Sequence, residues 1–387
     1  MLNFMRNPLD RKFFTIILFL IVALNIVPSA SAKTQIFKTK YHRVVVELLV
    51  DNLSHPWGVS FLPDGTPLIT ERPGVLKLAS PTRGVEIVKG LPKVWAEGQG
   101  GLLDIAVHPK FSQNKLIYLS YSEPSEDGRN AGTALALGRL NRSAAPKIEG
   151  VKVIFSQTKK TDSSRHFGSR IVITPENKLF LTIGDRGDGD RAQNPFDHAG
   201  SIIRLNLDGS VPADNPFISN EHGLTEIWSI GHRNPQGAIW NPVTESLWTV
   251  SHGAKGGDEI NHIKPGRNYG WPVISYGTHY WGTKIGEGTH KNGMEQPVYY
   301  WDPSIAPSGF TYYQGDAFSA WKGHLFVGAL KSETIVRLKM QNNKVLSEER
   351  LFENKFGRIR DIRQGSEGYL YFLTDEDPGQ LYRIRPF

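Results

Sequence analysis

A histidine and an aspartate in neighbouring motifs have the residue types of a general base and its partner. His166 stands in the segment SRHFGSR, directly before a short apolar strand, and Asp185 stands in GDRGDGD, at the end of the following strand. An aspartate that binds one imidazole nitrogen fixes the tautomer and leaves the other nitrogen free to accept a proton. The alternatives are a structural histidine beside an acidic turn or a calcium loop.

An arginine lies in the segment GHRNPQG, which spans residues 231–237. The Asn–Pro step favours a turn, and the flanking glycines permit close approach of the backbone. A guanidinium presented on such a turn suits a carboxylate or a developing oxyanion. We therefore predict that Arg233 faces a ligand, the alternative being an arginine that binds loop carbonyls.

The segment HGAKGGDEINHIKPGRNYGWP, residues 252–272, combines two adjacent carboxylates with many glycines. Asp258 and Glu259 supply charged oxygens, and the glycine-rich backbone supplies carbonyl oxygens. Calcium takes hard oxygen ligands of both kinds in irregular geometry. The composition of this segment is compatible with a calcium site, although acidic turns are also common without metal.

The composition excludes several other kinds of site. The chain has no cysteine, so neither a disulfide framework nor a lipid-anchored lipoprotein is possible. Haem-attachment, zinc, Walker and G-x-G-x-x-G motifs are absent, as is a G-x-S-x-G nucleophile elbow. The formal net charge of +7 comes without a basic stripe interleaved with aromatic residues. We therefore expect no nucleic-acid partner, whereas an anionic small ligand or an acidic redox partner fits the charge.

The candidate residues are embedded in a repeated pattern of apolar strand, polar turn and apolar strand. Successive copies are about 45–70 residues apart, an array of strand pairs that is typical of a β-propeller. Patterns of helical period are nearly absent. The six copies begin at Trp57, Gly101, Arg165, Gly237, Gly309 and Arg360. We predict an all-β fold, a six-bladed β-propeller with four antiparallel strands per blade.

A propeller explains how distant residues could form one site. The innermost strands of all blades run in the same direction, so the residues just before them gather at one end of the central channel. Blade one contributes only Trp57 to these positions. The other blades contribute Gln99, His166, Arg233 with Asn234, Ser304, and Arg358 with Arg360. Loops on a rigid scaffold commonly carry function, so this ring is the predicted site.

The N-terminal segment has the layout of a secretory signal peptide. Basic residues precede an apolar run from Phe13 to Val27, and Ala30-Ser31-Ala32 provides a small-residue cleavage site. We expect residues 1–32 to be removed, residues 33–387 to form the propeller domain, and the protein to be exported, either periplasmic or secreted. A membrane anchor is the alternative, but the run is short for a span and ends at Pro28. No stable membrane insertion is therefore expected after cleavage.

The segment from Phe37 to Val50 alternates as a β-strand does, ahead of the first complete repeat. We predict that this strand completes the last blade by pairing with residues near Leu381 to Ile384, which would close the ring without a free edge. The alternative is a leading strand of blade one.

The ordered set of motifs resembles the soluble glucose/sorbosone dehydrogenases. The motifs include GQGGLLDIAVHP, RHFGSRI, GDRGDGDRAQNP, GHRNPQG, HGAKGGDEIN, NYGWP and GRIRD, and the resemblance runs from about Trp57 to Arg385. Members of this family are six-bladed propellers that use pyrroloquinoline quinone (PQQ) and calcium to oxidise aldose sugars. The short loops are more similar to the aldose sugar dehydrogenase branch than to the larger glucose dehydrogenases.

The resemblance implies a role for each candidate residue. It makes His166 the general base and Asp185 its supporting carboxylate, with Arg233 and Asn234 on the quinone oxygens. Further cofactor contacts would come from Gln99, Ser304, Lys331, Arg358 and Arg360. The carbonyls of Gly253 and Ala254 would bind the calcium that also holds PQQ, and Glu259 with the Tyr269 carbonyl would form a second calcium site. Electrons would leave to an external acceptor, a quinone or a cytochrome.

Three positions depart from the family pattern. Arg165 stands where glucose dehydrogenases carry an aspartate, which leaves the sugar preference open. Ala254 replaces a proline and Ser304 a threonine, both of which retain the oxygen that the role requires. Two alternatives to a sugar dehydrogenase are a calcium-dependent lactonase of six-bladed propeller type and a non-catalytic propeller that binds a ligand. The lactonase would not need the cationic residues Lys331, Arg358 and Arg360.

Overall fold

A computed structural model describes residues 34–80 and 82–387 of the chain. The predicted signal peptide, residues 1–32, lies outside the described residues. The regular secondary structure of the described chain is almost entirely β-strand, with one short helix α1 (Phe111–Asn114) and 3-10 turns at Gly189–Gln193 and Ser319–Trp321. No helix in these described ranges has the length and apolar character needed to cross a bilayer.

The strands form six separate antiparallel sheets, as the repeat predicted. In chain order they are β1 (Thr34–Lys38), β2 (Arg43–Leu53), β3 (Pro56–Phe61), β4 (Pro67–Glu71), β5 (Val75–Ser80), β6 (Gly84–Val88), β7 (Leu102–Val107), β8 (Leu116–Pro124), β9 (Ala131–Asn141), β10 (Lys147–Ser156), β11 (Ile171–Ile173), β12 (Lys178–Thr182), β13 (Ile202–Asn206), β14 (Ile227–Ser229), β15 (Pro235–Asn241), β16 (Ser246–Ser251), β17 (Asp258–His262), β18 (Tyr299–Trp301), β19 (Pro307–Tyr312), β20 (Leu325–Ala329), β21 (Thr334–Gln341), β22 (Lys344–Leu351), β23 (Ile359–Gln364), β24 (Leu370–Thr374) and β25 (Gly379–Pro386).

Each sheet is one blade of a β-propeller. Blades one to five consist of β3–β6, β7–β10, β11–β14, β15–β18 and β19–β22, and the last blade contains β23–β25. The innermost strands β3, β7, β11, β15, β19 and β23 contact one another around the channel. The apolar core lies largely between adjacent blades, for example where Leu78 and Ile117 join blades one and two, and where Trp248 and Phe310 join blades four and five.

The predicted closure of the ring is confirmed. Strand β2 pairs with β25, with Val46 opposite Ile384 and Val50 opposite Leu381. The predicted single strand is in fact two strands, because Thr39 N donates to His42 O at 2.8 Å and turns the chain between them. Strand β1 then pairs with β2 as the outermost strand of the last blade. The alternative of a leading strand in blade one is therefore wrong.

A charged cluster lies inside the channel, and we call it the axial cluster. It consists of Asp104 on β7, Arg170 directly before β11, and Asp361 and Arg363 on β23. Arg170 donates to Asp104 at 2.8 Å and to Asp361 at 3.2 Å, and its guanidinium lies 4.4 Å above the ring of Trp57. Arg363 donates to the same two carboxylates, at 3.1 and 3.0 Å. The cluster ties three innermost strands together.

Candidate active site

The polar residues predicted from the repeat lie at the end of the channel where the innermost strands begin, which we call the channel mouth. Several innermost strands have a shift in pairing register near this end, and such bulges re-aim side chains. In β23 the shift lies between Ile359 and Asp361. Arg360 binds Asp375 at the mouth at 2.6 Å, whereas the next residue, Asp361, binds Arg170 in the axial cluster. Two consecutive residues therefore make contacts at different depths of the channel, one at the mouth and one in the axial cluster.

His166 and Asp185 form the predicted pair. Nδ1 of His166 lies 2.6 Å from Oδ1 of Asp185, and both residues are buried. The same carboxylate accepts hydrogen bonds from Gly187 N at 2.7 Å and, through Oδ2, from Trp271 Nε1 at 2.8 Å. With its position fixed from three sides, Asp185 holds the proton of His166 on Nδ1. No described residue hydrogen bonds to Nε2, which is left for a ligand.

The backbone of His166 is held in an uncommon conformation. Its φ of 56° is in the left-handed region, which non-glycine residues adopt mainly where the surrounding structure imposes it. Its amide donates to Oε1 of Gln99 at 2.8 Å, so the predicted residue Gln99 supports the histidine backbone. A Cβ at Gly184 would collide with the carbonyl oxygen of His166. Gly184, the first glycine of the GDRGDGD motif, is therefore needed for the close approach of this motif to the segment that carries His166.

The charge states of the pair follow from burial and from neighbouring charges. Burial lowers the pKa of His166 below its ordinary value, Arg233 and Arg165 act in the same direction, and Asp185 opposes them. Burial acts to raise the pKa of Asp185, but the hydrogen bond from His166 and the nearby Arg233 outweigh it, so that pKa lies below its ordinary value. The pair therefore holds an ionised aspartate and a neutral histidine, the form in which Nε2 can accept a proton.

Arg233 lies beside this pair, as expected for two residues that both precede innermost strands. Its carbonyl accepts a hydrogen bond from Asp185 N at 2.8 Å, and its guanidinium lies 5.2 Å from the ring centre of Trp271. Its Nε is buried without a hydrogen-bond partner among the described residues. The neighbouring Asn234 accepts from Gly168 N at 3.1 Å, which joins this turn to the histidine segment.

A cavity of about 450 Å³ opens in front of these side chains. His166, Asp185 and Arg233 line it together with Arg165 and Ala254. We call it the histidine cavity. Its size is within the usual range for small-molecule sites, and its lining contains a neutral base and a buried cation.

A second cavity of about 430 Å³, the arginine cavity, lies at the same end of the channel and is lined by Arg72, Gln99, Arg358 and Arg360. Arg360 donates to Asp375 at 2.6 Å, and Arg358 lies 3.5 Å from the same carboxylate. Burial acts to raise the pKa of Asp375, but Arg360, Arg72 and Arg358 outweigh it and lower that pKa to about 2. The cationic cluster is thus partly neutralised by a buried aspartate.

A small enclosed space of about 20 Å³ lies next to both cavities. Gly253, Glu259, Asn261 and Tyr269 line it. Burial and the neighbouring carboxylate of Asp258 raise the pKa of Glu259 to about 7, against the hydrogen bond from Asn261, which acts to lower it. Oδ1 of Asn261 is buried without a hydrogen-bond partner in the described part of the chain. The space therefore presents a carboxylate and an unpaired amide oxygen, and Arg233 is the one cationic side chain in its described lining.

Asp258 organises the loops around this space. It accepts hydrogen bonds from Gly253 N at 2.8 Å, from Ile305 N at 2.8 Å and from Ser304 Oγ at 2.7 Å. Ser304, a predicted cofactor contact, therefore donates its hydroxyl hydrogen bond to Asp258. The predicted Lys331 is exposed, and its amide donates to the carbonyl of Ile305 at 3.0 Å.

The structure brings most of the predicted residues together and adds others. The histidine cavity contains Ala254 besides His166, Asp185 and Arg233, and the small space contains Gly253, Glu259 and Tyr269. Asn234, Ser304 and Lys331 do not line any of these three spaces. The residues that the sequence reasoning missed are Arg72, Trp271, Asn261, His252 and Asp375. His252 and Asn261 stand in the motif HGAKGGDEIN and Trp271 in NYGWP, so the sequence carried a signal for these three residues.

Known proteins that are similar to this chain are sugar dehydrogenases. The aldose sugar dehydrogenase of Escherichia coli is 43% identical over 347 residues, which cover 89% of this chain and 93% of that protein. The apo crystal structure of the E. coli enzyme superposes with a TM-score of 0.86 over 89% of this chain and all of that one. Quinoprotein glucose dehydrogenase B of Acinetobacter calcoaceticus is 28% identical over 425 residues, 88% of this chain and 87% of that protein.

The fold and the polar mouth together define a propeller enzyme of the sugar-oxidising oxidoreductase class. Residues 53–383 match the Glucose / Sorbosone dehydrogenase family, almost the whole of the described chain. The chain therefore belongs to that family.

Proposed function

We propose that this protein oxidises the anomeric carbon of aldose sugars to the lactone, with PQQ and calcium as cofactors and an external electron acceptor. The observation that carries the proposal is the His166–Asp185 contact of 2.6 Å at the wall of a cavity that also contains Arg233. Oxidation at C1 removes a proton from the hydroxyl and a hydride from the carbon. The chain must therefore supply a base and stabilise negative charge on the oxygen.

His166 acts as the base. Its Nε2 accepts the proton of the anomeric hydroxyl, and Asp185 stabilises the positive charge that develops on the ring. Burial and Arg233 keep the histidine neutral before the reaction, which places it in the accepting state. A positioned general base contributes about 10²–10⁴-fold to the rate.

Arg233 stabilises the charge that forms on oxygen as the proton leaves. A guanidinium in a water-poor cavity is more effective for this purpose than the same group in bulk water. Trp271 helps to hold the arrangement, because its ring lies beside the guanidinium while its indole nitrogen binds Asp185. One aromatic side chain thus sets the spacing of the base and the cation.

The residues of the mouth fit a cofactor with several carboxylates. Arg72, Arg358 and Arg360 face one cavity, and Nε of Arg360 and Nε2 of His252 are buried there without a hydrogen-bond partner among the described residues. These groups, with Gln99 and Asn234, would hold PQQ, whose carboxylates suit arginine. When bound, PQQ supplies the two-electron acceptor for the hydride.

The small space fits a hard cation. Among the described residues no group of three histidine, cysteine, aspartate or glutamate side chains is placed to bind a metal. Calcium would therefore rely on one carboxylate together with carbonyl and amide oxygens, all of which it accepts readily. Glu259, Asn261 Oδ1 and the carbonyls of Gly253 and Tyr269 would supply them, with Ala254 on the side of the histidine cavity.

The test is reconstitution of the purified protein with PQQ and calcium, followed by addition of glucose. We expect the quinone absorption band to bleach and the quinol band to rise, and a dye acceptor to restore the quinone. A lactonase would instead hydrolyse gluconolactone without PQQ, and a non-catalytic propeller would do neither. Absence of bleaching in protein shown to contain PQQ would contradict the proposal.

We also propose that the protein works after export, since its N-terminal segment has the layout of a signal peptide. Mass spectrometry of protein secreted from an expression host should find Lys33 as the first residue. A mature chain that retains residues 1–32 would refute cleavage at that site.

A further inference from the structure

The long loop between β17 and β18 carries a group of aromatic side chains to the histidine cavity. His279, Tyr280 and Trp281 line that cavity. Tyr280 is 66% exposed and Trp281 is 74% exposed, the largest value for any large apolar side chain in the described ranges. Burying such a ring is favourable, so its exposure beside a ligand cavity indicates a partner that covers it.

The position of Trp281 is fixed by a tight turn. Thr278 pairs with Lys284, and the amide of His279 donates to the carbonyl of Thr283 at 2.8 Å. Gly282 closes the turn with a φ of 97°, a conformation that favours glycine. The indole stacks on the His279 ring with the centres 4.4 Å apart and the planes 5° from parallel. One face of the indole is therefore backed by imidazole, while most of the side chain remains accessible.

Carboxylates line the same cavity as this aromatic group. Asp188 and Asp190 are exposed there, and the described residues provide no hydrogen bond or ion pair for either side chain. An aromatic face for the C–H surface of a pyranose, together with free carboxylates for its hydroxyls, is the chemistry that binds a sugar ring.

We propose that Trp281, with Tyr280, binds the second sugar unit of a reducing oligosaccharide whose first unit is oxidised at His166. The proposal rests on the proposed function, because it requires C1 of the first unit to face the base. The rest of an oligosaccharide is attached on the side of the ring away from C1, so it must extend toward the open end of the cavity. The exposed indole stands along that cavity. It is a specificity residue and not a catalytic one.

The test compares glucose with maltose and maltotriose. We expect Trp281→Ala to lower the ratio of kcat/KM for maltotriose to that for glucose by about 3- to 10-fold, the effect of one lost aromatic contact. Trp281→Phe should restore much of the ratio. Phe196→Ala is the matched control, because Phe196 is 54% exposed but does not line the cavity. It should leave the ratio unchanged.

An unchanged ratio in Trp281→Ala would overturn the proposal, as would an equal loss for glucose and maltotriose. A rise in the KM for a dye acceptor with an unchanged sugar ratio would also overturn it and would assign the indole to acceptor docking. If the wild-type protein oxidises none of the three sugars, the proposed function fails. Saturation-transfer NMR with maltotriose then decides this proposal separately: weaker signals with Trp281→Ala support it, and equal signals refute it.

Discussion

Two groups of charged side chains lie along the same channel, and they differ in how fully their polar atoms are paired. In the axial cluster the carboxylates of Asp104 and Asp361 accept hydrogen bonds at every oxygen, from two arginines and from the amides of Val59, Ile171 and Ile362. Among the described residues the cluster has one buried atom without a hydrogen-bond partner, Nη2 of Arg170, and it belongs to the guanidinium that lies over the ring of Trp57. At the channel mouth, nitrogen atoms of Arg233, Arg360 and His252 and one oxygen of Asp375 have no hydrogen-bond partner among the described residues.

This difference distinguishes charged side chains that stabilise the fold, in the axial cluster, from those that are available to a ligand, at the channel mouth. Buried polar atoms are normally paired, because leaving one unpaired costs about 1–3 kcal/mol. The axial cluster balances two arginines with two aspartates and joins three innermost strands, so it serves the fold. The mouth retains unpaired atoms next to cavities, which is the arrangement expected where a ligand completes the pairing. Mutations in the two regions should therefore have different consequences.

The largest effect should come from breaking the axial cluster. Arg170→Met leaves Asp104 and Asp361 in a buried site with only Arg363 to balance them, and losing one partner of a buried ion pair costs about 3–5 kcal/mol. We expect a loss of that size in the free energy of unfolding, measured in urea. Arg165→Met, which removes an exposed arginine from the mouth, is the control and should change stability little. Equal stability of the two variants would refute the structural role of the cluster.

A change at the mouth should act on turnover instead. We expect His166→Gln to lower kcat by about 10²–10⁴-fold, the usual contribution of a general base. PQQ affinity should stay within a few-fold and the melting temperature should stay close to that of the wild type, because His166 is not proposed to hold the cofactor. Stopped-flow reduction of the PQQ-loaded variant by glucose measures this directly. Reduction at the wild-type rate would show that another residue is the base.

A related variant tests the backbone behind the base. Gly184→Ala places a methyl group against the carbonyl of His166 and within 3.0 Å of Asn234 Oδ1. We expect kcat to fall because the histidine is displaced from Asp185, with a smaller loss than in His166→Gln. A crystal structure of the variant should show a longer contact between Nδ1 and Oδ1. A fully active Gly184→Ala protein would mean that the turn adapts without moving the pair.

Several of these features could be predicted from the sequence, and others could not. The repeat predicted the six blades, the closure by β2 and the meeting of His166 with Asp185, because each of these depends on a regular spacing of strands. Trp271 and Asp375 were not predicted, since they lie outside the innermost strands and reach the mouth along paths that the repeat does not specify. The role of Ser304 in binding Asp258 likewise depends on how two loops meet.

Calcium should stabilise the folded protein through the small space beside the cavities. A ligand at 100 times its Kd stabilises by about 2.7 kcal/mol, so saturating calcium should raise the melting temperature by about 5 °C. Glu259→Gln should reduce this gain, because it removes the one carboxylate that the described residues contribute to the lining of the space. Glu149→Gln, on the exposed edge of blade two, is the control. The measurement is thermal unfolding with calcium or with chelator, and an undiminished gain in Glu259→Gln would exclude this residue as a ligand.

The smallest effect should come from Arg165, the position at which glucose dehydrogenases carry an aspartate. His166 must be neutral to accept a proton, so kcat/KM should rise with pH and level off. Because burial, Arg233 and Arg165 outweigh Asp185 and lower the histidine pKa, the midpoint in the wild type should lie below pH 6.5. Arg165→Asp removes a positive charge and adds a negative one, which raises this pKa. The midpoint should therefore move to higher pH, with Arg165→Met in between.

The shift should be small, since Arg165 is exposed and solvent and salt screen its charge. Raising the ionic strength should therefore bring the midpoints of the three proteins together, whereas a change in the hydrogen bond to Asp185 would not respond to salt in this way. The comparison needs pH profiles of kcat/KM for glucose at low and high salt. If the midpoint of Arg165→Asp moves to lower pH, or moves up by the same amount at both salt concentrations, the charge of Arg165 does not act on His166 through space. The residue would then affect the reaction through contact with the sugar, and the lower pKa of the base would come from burial and Arg233.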